Sequence, residues 1–430
     1  MHHICSPYNF ASPDFTESRT GKILTSVSML LLISLFCVQT SSADSYAWKE
    51  TRVTARVVPE YDREMRRVVV SLCDGIASLE LQHEILLRVP DYTSIILLVS
   101  RRDSSGVAST LRNTPYAERT TIVTFDPDVR TSGELHLIDN GKGFISMPLM
   151  EPTPLQLGTR WAQDLFIPVV TSGMTTRIVT PSFYMCLCTG GKGIIGKPEG
   201  DNRFVASLET AGLEFVKLPM SFSGGNIAIV EAGGKRIALC GGDILRDTRD
   251  FRKQFPSEAA PDTLVARMIG GALGVDRVVF VGHDTFQPRL MFHLDQALIS
   301  LPGGVAAVTR IAGNPADFPG MSGHLADVGR FLEVLRDVLD RLGVTVVDID
   351  APVHNIVNYE FYVNAIPFRH VRTGKRTLLM PVFEQRHMDD PKIIKTNTER
   401  LESLGYTVIH VPTKAGSLKG GVHCLVNMIE

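Results

Sequence analysis

The sequence predicts an α/β protein, and three observations carry that reading. Short apolar runs rich in valine and isoleucine, bounded by glycine, aspartate or proline, recur from about Arg52 to the end of the chain. Between several of them apolar residues return three and four positions apart, as on one face of a helix. The composition is that of an ordinary globular protein, 44% hydrophobic and 21% charged, which excludes disorder as the main state.

In chain order the strand-like runs are Arg67–Leu72, Ser94–Ser100, Thr121–Phe125, Leu165–Val170, Asn226–Val230, Arg236–Cys240, Arg277–Gly282, Val344–Ile349, Thr377–Phe383 and Thr407–Pro412. Helices are expected over Leu79–Val89, Arg203–Ala211, Asp262–Leu273, His324–Leu342 and Lys392–Leu404. The fourth is the clearest: Leu325, Val328, Phe331, Leu332, Leu335, Val338 and Leu339 form one apolar stripe, and Gly343 stops it. There is no long linker, charge block or strict sequence repeat. A strand–helix–strand module of roughly 50 to 80 residues fits the element spacing. Periodicity leaves open whether the strands form one doubly wound sheet or several small ones.

The 430 residues carry 44 Lys plus Arg against 46 Asp plus Glu, a formal charge of -2, which excludes a strongly basic nucleic-acid binder on global charge. Seven cysteines are too few for a disulfide scaffold. Cys186 and Cys188 form a C-x-C that reads either as two residues on one face of a strand or as a metal-ligand pair. The N-terminal segment reads as an address. Residues 23–38 are apolar and follow Arg19 and Lys22, and Ser41 and Ala43 are small residues of the kind a signal peptidase prefers. The expected division is a leader over residues 1–43 and a single catalytic domain over residues 44–430, exported; an uncleaved membrane anchor at residues 23–38 is the alternative. No other apolar run approaches a membrane span.

Four segments are candidates for chemistry. Trp161-Ala162-Gln163-Asp164 leads into a strand, and a lone Asp there also reads as a cap. Ser223-Gly224-Gly225-Asn226 is a tight turn without the third glycine of a dinucleotide loop or the Lys-Ser/Thr of a P-loop, so nucleotide binding is rejected. His293 and Asp295 lie two apart and face one way if Phe292-His293-Leu294-Asp295 is a strand. Cys424 follows Gly420-Gly421-Val422-His423, near the end of the chain. A cysteine, a histidine and two aspartates together suggest thiol nucleophilic catalysis with acid–base help. Paired carboxylates suit a planar cation better than a peptide acyl transfer, which argues against a cysteine peptidase.

This combination resembles the guanidine-modifying enzyme superfamily of deiminases and amidinotransferases. The segments occur in that family's order: Asp motif, Gly-Gly-Asn turn, His-x-Asp, Tyr362-Val363-Asn364 and a terminal His-Cys, spanning roughly Arg52 to Glu430. The resemblance implies a five-module α/β-propeller of ββαβ-like repeats around a central active site. Trp161-Ala162-Gln163-Asp164 is similar to the Trp-x-Gln-Asp of protein-arginine deiminases, whereas agmatine deiminases carry Trp-x-Arg-Asp. Val422-His423-Cys424 also matches the protein-directed branch, and Ser223 stands where many small-molecule deiminases carry Glu.

The resemblance therefore implies conversion of peptidyl-arginine to peptidyl-citrulline and ammonia; agmatine or free-arginine deimination and amidino transfer are the alternatives. A guanidinium-binding protein without turnover ranks last. Cys424 is the implied nucleophile and His293 the acid and base. Asp164 and Asp295 grip the guanidinium. Trp161, Asn364, Gly225 and Asn226 are implied at the substrate, and His423 is assigned to structure because neighbours on a strand face opposite ways. No cofactor or metal is implied, since Leu165, Phe166 and Ile167 occupy the place of the vertebrate enzymes' acidic calcium ligands. The partner is an arginyl peptide or protein, or a small guanidino compound.

Overall fold

The computed structural model describes residues 55–72, 75–125, 134–139, 143–148, 161–173, 175–183, 185–186, 194–195, 207–252, 262–282, 288–383, 391–413 and 420–429. The expected leader, Arg160, Cys188 and residues 203–206 of the expected helix lie outside them. Of that helix the described part, Ser207–Ala211, is a 3-10 turn.

Five of the six sheets among the described residues share one strand pattern, an antiparallel pair followed by a parallel third strand. The first unit joins Arg67–Leu72 to Ser94–Ser100 and Thr120–Phe125 in parallel, and its antiparallel partner is Val426–Met428 from the chain's end, in register Val68↔Met428. The second is Ile167–Thr171, Thr176–Phe183 and Glu214–Ser221, with Ala55–Arg56 at its edge. The third is Ile227–Ala232, Lys235–Gly241 and Arg277–Val281. The fourth is Leu298–Leu301, Val305–Ala312 and Thr345–Pro352, and the fifth Ile366–Arg369, Arg376–Phe383 and Tyr406–Thr413. The sixth sheet, Glu134–Asp139, Gly143–Pro148, Met185–Cys186 and Ile194–Ile195, is wholly antiparallel and falls outside the pattern.

A parallel connection needs a crossover, and helices supply it. Ile76–Arg88, Asp262–Leu273, Ser322–Arg341 and Pro391–Ser403 each lie between the parallel strands of their units. In Ser322–Arg341 the buried residues are the seven of the predicted stripe, each contributing about 1.5–3 kcal/mol by burial. Gly343 follows at φ 74°, the left-handed conformation that ends a helix. Two helices escape the periodic reading. Asp243–Arg252 is mostly charged and Ser104–Leu111 is mostly small, so neither carries a long apolar stripe.

The buried clusters bind neighbouring units. Val69, Ile96, Phe166 and Ile178 join the first to the second, and Val169, Val179, Ala238 and Cys240 join the second to the third. A larger cluster runs through the third, fourth and fifth with Leu239, Val308, Phe331, Tyr362 and Met380. Phe368 and Leu379 of the fifth pack with Val68, Leu97 and Val426 of the first. Among the described residues no helix is long and apolar enough to cross a membrane.

Candidate active site

The candidate residues occupy equivalent places. Each unit's first antiparallel strand is entered through one tight turn, and each turn delivers part of the site. Asp164 lies on the single-turn helix Ala162–Leu165 ahead of Ile167–Thr171. Gly225 lies in the 3-10 turn Gly224–Asn226 ahead of Ile227–Ala232. Asp295 lies in the 3-10 turn Leu294–Gln296 ahead of Leu298–Leu301. Asn364 closes a backbone turn from Phe361, its N–H 3.0 Å from the Phe361 carbonyl, ahead of Ile366–Arg369. Cys424 lies on the single-turn helix Val422–Leu425 ahead of Val426–Met428.

This corrects two local readings. The segment from His293 to Asp295 is not a strand: His293 is extended at the cap of a 3-10 turn, and Gln296 Oε1 accepts the N–H groups of Phe292 and His293 at 2.9 and 3.2 Å. The predicted strand from Leu165 begins instead at Ile167, because the Asp164 N–H bonds the Trp161 carbonyl at 3.1 Å and closes a helical turn first.

The structure brings Cys424, Asp295 and Asn364 into direct contact. Cys424 Sγ lies 3.3 Å from Asp295 Oδ2. Asn364 Nδ2 donates to the sulfur at 3.1 Å, and Asn364 Oδ1 accepts the Cys424 N–H at 3.2 Å. Asp164 and His293 form the second cluster, with His293 Nδ1 3.4 Å from Asp164 Oδ1, which also accepts from the Ser223 hydroxyl. Gly225 connects the two clusters. A Cβ there would stand 2.8 Å from Asp295 Oδ2 and 3.0 Å from Asp164 Oδ1, so the carboxylates converge on a backbone that carries no side chain. Gly420 and Gly421 are needed for the same reason, packing against the Trp161 ring and the Asn364 side chain.

Asn226 is placed differently. Its Nδ2 donates to Asp243 Oδ1 at 2.5 Å and its Oδ1 accepts the Leu294 N–H at 3.2 Å, which braces the turn that carries Asp295. Trp161 is half-buried against the core beside Gly420. Leu165, Phe166 and Ile167 are buried apolar residues. Among the described residues no group of three or more His, Cys, Asp or Glu is arranged to hold a metal ion.

His423 corrects a third reading. On a one-turn helix adjacent residues need not diverge, and His423 Nδ1 meets Asp295 Oδ2 at 2.9 Å, the same oxygen that faces Cys424. Its Nε2 meets Glu60 Oε2 at 2.9 Å. Gln163 Nε2 donates to Glu60 Oε1 at 3.4 Å. Glu60, Arg63 and Asp243 escape sequence reasoning: each is a single charged residue with no motif, and only tertiary structure buries Arg63 and Asp243 and half-buries Glu60.

Charge and burial set the protonation states. Burial, then Asp295 and Asp164, push the Cys424 thiol well above its ordinary value, so the empty site holds a neutral thiol. Burial alone would depress His423, but Glu60 and Asp295 push it up to about 10. Burial would raise Glu60, yet the His423 cation and its hydrogen bond, with Arg63 beyond, hold it below the usual carboxylate range. Burial raises Asp243. Asp295 Oδ1 is buried without a hydrogen-bond partner among the described residues, an acceptor open to a further donor.

No protein-family model matches the chain, and no curated protein matches it in sequence. Solved structures match in fold. An agmatine deiminase of C. jejuni superposes with a TM-score of 0.56 at 12% identity, covering 87% of this chain and 96% of that one. A cysteine-to-serine form of it with substrate bound gives 0.58 at 13% identity, covering 87% and 96%. The agmatine deiminase of Enterococcus faecalis gives 0.54 at 13%, covering 87% and 95%. The chain therefore has the fold found in these deiminases, over nearly their whole length.

Proposed function

We propose that the protein is a guanidine-modifying hydrolase of the deiminase class, acting on a small guanidino compound such as agmatine. The observation that carries the reading is the convergence of Asp164 and Asp295 on Gly225, with Cys424 Sγ 3.3 Å from Asp295. Two carboxylates and an unpartnered acceptor oxygen fit a planar cation with several N–H donors. The deiminase fold and the cyclic order of the packed clusters support a ring of five units with the site at its centre.

The residues account for the chemistry in two halves. The guanidinium displaces no charge partner of the thiol; it adds a cation between carboxylates that had kept the thiol neutral, and so favours the thiolate. The Cys424 proton passes to His293 as the sulfur attacks the guanidinium carbon, forming a C–S bond. A C–N bond breaks, and ammonia leaves with a proton from His293. Water, deprotonated by His293, then adds to the thiouronium carbon; the C–S bond breaks, the thiol is restored and a ureido product is released. Asp164 orients His293, and Asn364 holds the sulfur from the other side.

The agmatine-type substrate is preferred over an arginyl peptide on two grounds. The structures sharing this fold over most of their length include agmatine deiminases. The residues read as favouring a protein substrate serve the site's own network instead: Gln163 Nε2 donates to Glu60, Ser223 donates to Asp164, and His423 of Val422-His423-Cys424 bridges Asp295 and Glu60. Ammonia release from agmatine, free arginine, an N-acylated arginine amide and an arginyl peptide, with and without EDTA, tests the reading. Agmatine is expected to turn over fastest, unaffected by EDTA. Fastest turnover of the amide or peptide would move the protein to the protein-directed branch, and no ammonia from any compound would overturn deimination. Transfer of the amidino group from arginine to glycine, read by mass spectrometry, would make it an amidinotransferase.

A further inference from the structure

We propose that Glu60 and His423 form a positioning pair, His423 buried and Glu60 half-buried, that fixes Asp295 beside Cys424 and sets a positive charge against the carboxylates that oppose its thiolate. The inference rests on reading Cys424 as the nucleophile.

Geometry alone assigns the charge. His423 has a carboxylate oxygen 2.9 Å from each ring nitrogen, Asp295 Oδ2 at Nδ1 and Glu60 Oε2 at Nε2. A neutral imidazole has one N–H and meets only one of them with a donor; the imidazolium meets both. The side chain of Glu60 is held in turn by Gln163. Arg63, whose charge stabilises Glu60, is anchored by Nε to the Val58 carbonyl at 2.6 Å and by Nη1 to the Met428 carbonyl at 2.9 Å. The His423 N–H bonds the Asn364 carbonyl at 3.1 Å. The imidazolium is thus fixed by its backbone and by both ring atoms.

The placement has an electrostatic consequence. Cys424 faces Asp295 and Asp164, and both oppose the thiolate. Through its shared oxygen, Asp295 Oδ2, the sulfur is one atom removed from the imidazolium. The groups around His423 are Glu60, Arg63, Asp295 and Cys424, with Asp164 and His293 across Gly225. Without the His423 cation the two aspartates act on the sulfur against only the hydrogen bonds it receives from Asn364 and the Gly421 backbone. Without Glu60 the imidazolium loses one of the two anions that hold its proton. His423 and Glu60 touch no reacting atom in this arrangement; they act through Asp295.

The test follows the alkylation of Cys424 by iodoacetamide against pH, by mass spectrometry of the whole protein without substrate. His423→Asn is expected to move the midpoint of the Cys424 profile up by about one to three pH units, the scale of losing an opposite charge nearby, and to slow labelling near neutral pH tenfold or more. Glu60→Gln keeps the ring but is expected to introduce a second ionisation between the ordinary histidine value and the wild-type value of about 10, as His423 releases its proton earlier. Glu60→Asp is expected to return the profile to a single step. Turnover should fall in kcat more than KM rises, because the pair prepares the nucleophile. Profiles of His423→Asn and Glu60→Gln that overlay the wild type would overturn the proposal. Should circular dichroism show His423→Asn unfolded, the Glu60→Gln profile decides alone. Shifted profiles in a protein that releases ammonia from no guanidino compound would sink the deiminase reading and leave the pair; an active wild type with unshifted profiles would sink the pair alone.

Discussion

At the scale of single residues, Cys424 on the proposed reading is a nucleophile that stays poor until a guanidinium arrives. Cys424 is buried at 3% exposure beside two carboxylates, and its pKa lies well above the ordinary value. Its alkylation in the protein without added guanidino compound is therefore expected to keep rising with pH through the alkaline range; a plateau already reached at neutral pH would contradict this. Cys424→Ala should abolish ammonia release while the circular dichroism spectrum stays that of the wild type. His293→Ala should lower turnover by about two to four orders of magnitude, the usual scale of acid–base help. Asp164→Asn removes one charge-assisted hydrogen bond, about 1.5–3 kcal/mol, so kcat/KM should drop about 10- to 150-fold. His423 adds a pH dependence of stability. Its folded pKa of about 10 lies above the unfolded value of 6.5, so its contribution is complete below 6.5 and is lost as pH rises through 10. The thermal midpoint is expected to decline across that window, with its lower part flattened in His423→Asn.

At the scale of elements, the repeated object is a turn followed by a strand. The turns differ in form, from a one-turn α-helix at Asp164 and Cys424 to a 3-10 turn at Gly225 and Asp295. They share a position at the entrance of an antiparallel strand. Two turns are locked together by backbone: a Cβ on Gly224 would stand 2.0 Å from the Gln163 carbonyl oxygen. Gly224→Ala must therefore displace main chain, and a loss of about 1–3 kcal/mol, the range for overpacking, is expected in chemical denaturation. Gly225→Ala meets side-chain carboxylates instead, so it should cost activity more than stability; an active variant with native stability would show that the carboxylates can part. The short apolar runs made the strands legible because their period and their boundaries are local. The turns were not legible, because their hydrogen bonds decide between helix and strand over three or four residues. That is why the His293–Asp295 segment and His423 read as strand. The charged helix Asp243–Arg252 was missed since, among its described side chains, the only apolar ones buried are Ile244 and Leu245.

At the scale of the molecule, the last described strand closes a sheet begun by a strand from early in the chain. Val426–Met428 pairs with Arg67–Leu72, and Asn427 Nδ2 donates to the carbonyls of Ala162 and Phe166 at 3.2 and 2.8 Å, bracing the turn that bears Asp164. Deleting residues 426–430 leaves Cys424 in the chain yet removes this strand, and a large fall in thermal midpoint with loss of activity is expected. The N-terminal segment lies outside the described residues, and export remains our proposal from its composition. N-terminal sequencing of protein from its native source should find a chain starting near Asp44; a soluble cytoplasmic protein retaining Met1 would refute it.

The sequence by itself determined the α/β class, ten of the described strands and the long helices, because hydrophobic period is a property of consecutive residues; strands such as Thr176–Phe183, Glu214–Ser221 and Val305–Ala312 escaped it. It also marked Cys424, His293, Asp295 and Asp164, whose residue types in that order resemble a known chemistry. Only the tertiary structure decided which oxygen of Asp295 faces the sulfur, that Asn364 holds the sulfur from a second side, and that Glu60 lies against His423. Glu60 and His423 stand 363 positions apart in the chain. Their pairing depends on where the turns deliver them, and a charge can be buried there only because its partners arrive from other parts of the chain.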